Sequence, residues 1–210
     1  MRIIAREKVE AVSNPRLSAD SASLVFDTRH IVAEPMTEDD APENFIYRFQ
    51  NVSDKEVRKV TFAQWRDDVR NLGTAFIADG LREEKVAIVG ENSYGWCCSF
   101  FAVMAIGSVT VPVDKELPVE DINGIITTTG CKAVIFGKSS EAKVKEMLNK
   151  GGLESAKLLI SVASETSIEP ESLGSKKLIS LLKLQEKGAA SYAGGDNSYY
   201  DYKIDVNKLA

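Results

Sequence analysis

The stretch VAIVGENSYGWCCSF, residues 86–100, reads as a hydrophobic strand, a turn at Gly90 and a helix that resumes after Gly95. Its β-branched start suits a strand buried on both faces. A strand, a glycine turn and a helix is also how many proteins hold a phosphate. Gly90 and Gly95 have the spacing of the glycines in G-x-x-x-x-G-K-[ST], but Trp96 and Cys97 stand where that loop has Lys and Ser or Thr. The lysine would carry charge to the phosphates and the hydroxyl would hold Mg²⁺, and neither Trp96 nor Cys97 can do so. Glu91 adds negative charge at the same place. The stretch therefore reads as a strand-to-helix turn that sends Trp96 and Phe100 into the core, with Asn92 capping the helix or closing the turn.

The flanking chain carries similar units. Upstream, Thr61 and Gln64 have the spacing of a capping box, and Phe62, Trp65, Val69, Leu72 and Phe76 fall on one face of a helix that Gly80 ends. Before it, NFIYRFQ and EVRKVTF alternate around NVSDKE as a hairpin, with Phe45, Tyr47 and Phe49 inward and Val57 or Val60 opposite. Residues 1–44 are rich in turn formers and read as an extended lead-in, with a short strand at 23–26. Downstream, a helix to Gly107 is followed by strand VTVPV, a helix from about Pro118 to Gly130, and strand KAVIF. Next come helix SSEAKVKEMLNK, strand AKLLISV, and helix GSKKLISLLKLQEKGAA, which opens at Ser175. This alternation predicts an α/β fold: a mostly parallel sheet flanked by helices on both faces, with an N-terminal β-hairpin arm. The Tyr-, Gly- and Asp-rich run from 191 reads as a surface loop leading to a further strand.

Composition narrows the function classes. A formal net charge of −5 from 31 acidic and 26 basic residues, with no block of like charge, gives no case for nucleic acid or an anionic membrane. No run approaches the ~20 apolar residues of a membrane span, and the N-terminus lacks the apolar run of a signal peptide, so a cytoplasmic location is expected. Cys97, Cys98 and Cys131 read as buried thiols, and the single histidine, His30, has no partners for a zinc site or a Ser-His-Asp centre. No metal site is expected.

The order of segments then becomes recognisable. VTFAQW, VAIVGENSYGW, MAIGSVTVPVDKELPVEDINGII and TGCKAVIF, spread over about residues 58–138, resemble in turn the motifs of the N-terminal subdomain of AMP-forming acyl-CoA synthetases. These belong to the adenylate-forming superfamily, and the pattern is of the long-chain fatty acid–CoA ligase type. The resemblance implies a parent that uses ATP, Mg²⁺ and coenzyme A to activate a medium or long fatty acid as an acyl-adenylate. Residues 45–210 would be the N-terminal subdomain, ending before the family's phosphate loop. Its adenylate-, ribose- and lysine-bearing motifs would also lie beyond residue 210. The 210 residues alone are thus expected to hold no catalytic residue, to bind no cofactor tightly and to be inactive.

Asp114, Lys115 and Glu116, in the loop after VTVPV, would border the coenzyme A entrance or else form a solvated loop. A homodimer through apolar surface normally covered by the rest of the domain is a further expectation. The reading from another class is a stand-alone Rossmann-like module that binds a nucleotide or a protein without catalysis.

Overall fold

The computed structural model describes the backbone of residues 45–50 and 57–203, with side chains from Val60 onward. The expected lead-in, the strand at 23–26 and the inward side chains of the hairpin fall outside the described residues. The chain divides into two compact units, Met1–Arg70 and Asn71–Ala210.

In the first unit β1 (Phe45–Gln50) pairs antiparallel with β2 (Val57–Thr61), the hairpin expected from alternation. Helix α1 (Phe62–Ala78) follows at once and carries the chain across the boundary between the units. Its start is the capping box: the Gln64 N–H donates to Thr61 Oγ1 at 3.2 Å, and Gln64 Oε1 accepts the Thr61 N–H at 2.9 Å. Trp65, Val69, Leu72 and Phe76 are buried, as their spacing requires. Gly80, with φ of 76°, ends the helix through a left-handed residue.

The second unit is a five-stranded, all-parallel sheet. Its elements run β3 (Lys85–Val89), α2 (Tyr94–Ala105), β4 (Val109–Val113), α3 (Val119–Thr129), β5 (Ala133–Phe136) and α4 (Glu141–Asn149). They continue with β6 (Leu158–Ser161), β7 (Lys177–Ser180), α5 (Leu181–Ala193) and a short α6 (Ser198–Asp201). The strand order is β4-β3-β5-β6-β7. Alternate residues point to opposite faces. On one face Ala87, Val89, Val134, Phe136 and Leu159 pack with Ile122 and Ile126 of α3 and Val144 and Met147 of α4. Val86, Ile88, Ala133, Ile135 and Ile160, on the other face, are buried as completely. Burial of both faces explains why these strands are continuous apolar runs.

Three local readings change. The helix predicted to open at Ser175 is a strand followed by a helix: Lys177–Ser180 pairs with Leu158–Ser161, and Ser180 Oγ accepts the Lys183 N–H at 3.3 Å to start α5. Leu178, Leu181, Leu182 and Leu184 fit a helical period, so four residues of strand are invisible there, and the open edge of β6 decides. The cap of α2 is Ser93, whose Oγ accepts the Trp96 N–H at 3.1 Å, and Asn92 lies exposed one residue earlier. Trp96 and Phe100 are half-buried, stacked on each other with ring centroids 5.3 Å apart, while Cys97 and Cys98 take the inner face.

Candidate functional site

In an open parallel sheet, ligands bind beyond the carboxyl ends of the strands, in the crevice where the strand order reverses. Here β3 connects outward to β4, whereas β5 connects the other way to β6, so the crevice lies between β3 and β5. The loops that meet there begin at Gly90 and Gly137.

They meet closely. A Cβ on Gly90 would stand 2.7 Å from the Gly137 nitrogen and 2.9 Å from its Cα, so only glycine fits at this contact. Past it, the Glu91 side chain crosses from the β3 loop to the β5 loop. Glu91 Oε1 accepts the Lys138 N–H at 3.1 Å, and Oε2 accepts the Ser139 N–H at 3.2 Å together with the Ser139 hydroxyl. Partial burial pushes the Glu91 carboxyl up, but hydrogen bonds from the Ser139 hydroxyl and from the N–H groups of Glu91, Ser139 and Lys138 outweigh it. The carboxyl is held below its ordinary value. These donors are the kind that bind a phosphate. Here the Glu91 carboxylate takes both N–H groups.

Asp114, Lys115 and Glu116 lie beside this crevice, just past the end of β4. Asp114 Oδ1 accepts the Glu116 N–H at 2.9 Å, and Lys115 Nζ pairs with Glu116 Oε1. The Glu116 hydrogen bond and charge raise the Lys115 pKa, and the charges of Glu91 and Asp114 add to this. The loop is held from below by Lys143 of α4, whose Nζ donates to the Lys115 carbonyl at 2.6 Å and the Leu117 carbonyl at 2.8 Å. Nothing in the sequence singled out Lys143, which is one of two lysines on an ordinary amphipathic helix.

Glu141, at the first position of α4, is the second carboxylate that ties loops together. It is 4% exposed. Its Oε1 accepts from the Ser167 N–H, from the Ser167 hydroxyl at 2.6 Å and from Thr166 Oγ1 at 3.2 Å, and its Oε2 pairs with Lys138 Nζ at 2.9 Å. Burial raises this carboxyl, yet the Ser167 hydrogen bonds and the Lys138 charge bring it down to about 2. Beyond this clasp a cavity of about 500 Å³ opens at the ends of β6 and β7, lined in part by Ser161, Thr166, Ile168, Leu178, Ser180 and Lys183. Burial pushes the Cys97 thiol up to about 11, away from the nucleophilic thiolate. Among the described residues no cluster of three or more His, Cys, Asp or Glu is placed to hold a metal. No helix among them is long and apolar enough to cross a membrane.

The profile of the family described as "AMP-binding enzyme" matches residues 39–195, well over half of the chain. The chain belongs to the AMP-binding enzyme family. Among curated relatives of this family member, the long-chain-fatty-acid–CoA ligase FadD13 of Mycobacterium tuberculosis is 29% identical over 83 residues, 39% of this chain and 16% of the ligase. The human mitochondrial medium-chain acyl-CoA ligase ACSF2 is 27% identical over 81 residues, 38% of this chain and 13% of that protein. Among solved structures, the anthranilate CoA ligase AuaEII, in complex with anthranoyl-AMP, superposes with a TM-score of 0.54 at 18% identity. It covers 62% of this chain and 23% of the ligase. That likeness shows the shared fold. The chain spans under a third of the length of each of these relatives.

Proposed function

We propose that the whole protein is an ATP-dependent, AMP-forming acid–thiol ligase and that this chain is its N-terminal part. In the first step a carboxylate oxygen of a fatty acid attacks the α-phosphorus of ATP, giving acyl-adenylate and releasing pyrophosphate. In the second, the thiol of coenzyme A attacks the acyl carbon and AMP leaves. The observation that carries this reading is the family match over residues 39–195, supported by relatives named for acyl-CoA ligation. Within the reading, Asp114, Lys115 and Glu116 border the entrance for coenzyme A, on a loop that Lys143 holds at fixed height.

The 210 residues alone have no assigned phosphate-binding loop, and the crevice that α/β sheets use for that purpose is taken by Glu91. The proposal is tested by incubating the purified chain, and separately a longer product of the same reading frame, with ATP, Mg²⁺ and dodecanoate. Fatty-acid-dependent pyrophosphate release is expected from the longer protein and none from the 210 residues. A longer protein that releases none with fatty acids of any length would overturn the ligase reading, and release by the short chain would overturn its inactivity. Calorimetry of the short chain with ATP, AMP and coenzyme A separates the binding-module alternative, which requires stoichiometric heat.

A further inference from the structure

We propose that Glu91 is the chain's own anion for the switch-point crevice, a carboxylate that takes the place of a ligand phosphate and locks the β3 loop to the β5 loop. The inference goes beyond the ligase reading and does not depend on it.

Four observations converge on it. First, the crevice is where an open parallel sheet of this order takes its ligand. Second, both carboxylate oxygens are engaged across 47 and 48 residues of sequence by N–H groups of one turn, with the Ser139 hydroxyl as a third donor. That is how a phosphate is cradled, and it is a different arrangement from an ordinary surface ion pair, because the positive ends are fixed backbone dipoles. Third, the approach is built for it. Gly90 lets the two loops touch, and a Cβ on Gly137 would stand 2.8 Å from the Glu91 carboxyl carbon. Fourth, the neighbouring charge completes the balance: the field of Glu91 reaches Lys115, one of the three loop residues singled out from the sequence. The adjacent Ser140 hydroxyl is buried without a hydrogen-bond partner.

The consequence is specific. A sheet of this kind would normally gain the order of these two loops from a bound ligand; here the chain supplies the anion itself. The loops are therefore set before any substrate arrives, and a nucleotide must be received elsewhere, by residues outside this crevice.

The full 210-residue chain tests this through Glu91→Ala and Glu91→Gln, compared with the parent. In Glu91→Ala the amide hydrogens of Lys138 and Ser139 are expected to exchange about ten-fold faster, and the thermal midpoint to fall by about 5 °C. Added sodium formate, against sodium chloride at equal ionic strength, is expected to restore a large part of both in Glu91→Ala and to leave the parent unchanged. Glu91→Gln, which keeps the shape and one acceptor oxygen, is expected to lie between them. Unchanged exchange at Lys138 and Ser139 in both variants would overturn the lock. Formate acting equally on parent and variant would overturn the substitution of a ligand anion by Glu91. If the alanine variant does not fold without formate, folding of that variant in formate alone supports the inference, and failure in formate while Glu91→Gln behaves as the parent overturns it.

Discussion

The two ends of the sheet are closed by different chemistry. At the carboxyl end, carboxylates reach from one loop to the backbone N–H groups of the next: Glu91 to Lys138 and Ser139, and Glu141 to Ser167. At the amino end an aromatic segment does the work. Tyr202 lies with the Arg82 guanidinium carbon 4.8 Å from its ring centroid and donates its hydroxyl to Glu83 at 2.9 Å. Arg82 Nη2 donates to the Ser198 carbonyl at 2.8 Å, and the buried Ser108 hydroxyl to the Leu81 carbonyl at 2.6 Å. One end is held by charge on fixed dipoles and by backbone contact, the other by a ring and hydrogen bonds that can shift. Function in parallel sheets lives at the carboxyl end.

The glycines on the two ends give the largest test of that difference. Gly90→Ala would drive a Cβ into the backbone of Gly137, which cannot move without breaking the Gly137 N–H to Val89 carbonyl bond of 2.9 Å. A loss of about 3 kcal/mol in urea unfolding is expected. Gly107→Ala meets the outer part of the Tyr202 ring, Oη nearest, and adds the strain of a φ of 75°. About 1 kcal/mol is expected there. Equal costs would remove the contrast between a rigid and a yielding end.

A smaller effect comes from acid. The Glu141 carboxyl is lowered from 4.5 to about 2 in the folded chain. A lowered folded value means the stabilisation is present in full above the unfolded value and is lost as pH falls through the folded one. Glu141→Gln is therefore expected to cost about 1.5 kcal/mol at pH 7, and the gap from the parent to close between pH 4.5 and about 2. Denaturation midpoints across that range check it. A gap that persists unchanged at the acid end would mean the charge of Glu141 does not hold the Thr166–Ser167 loop.

Much of this was legible in the residues. The capping box at Thr61 and Gln64, the left-handed ends at Gly80, Gly107 and Gly130, and strands such as Val86–Val89 and Ala133–Phe136 depend on neighbours a few positions away. Local pattern carries such information. The illegible parts rest on distant partners. β7 exists because β6 has an open edge, and its leucine and isoleucine serve a helix pattern equally well. The turn reading sends Trp96 into the core, but the inner face of α2 is taken by Cys97, Cys98 and Ala102. Lys143 finds two carbonyls at the end of another strand, and Glu91 finds a turn 47 residues away, so neither role has a local signature. The charge of Glu91 was visible as an obstacle to phosphate. That it sits on the phosphate's donors could be seen only once the two loops were brought together.

The most direct measurement is a titration of the unaltered chain with Mg-ATP, followed through the backbone amide resonances of Lys138 and Ser139. With Glu91 seated on these donors, the two resonances are expected to stay in place up to millimolar nucleotide. Saturable movement of both, lost when the nucleoside adenosine replaces ATP, would contradict the account by showing that a phosphate enters the crevice and displaces the carboxylate.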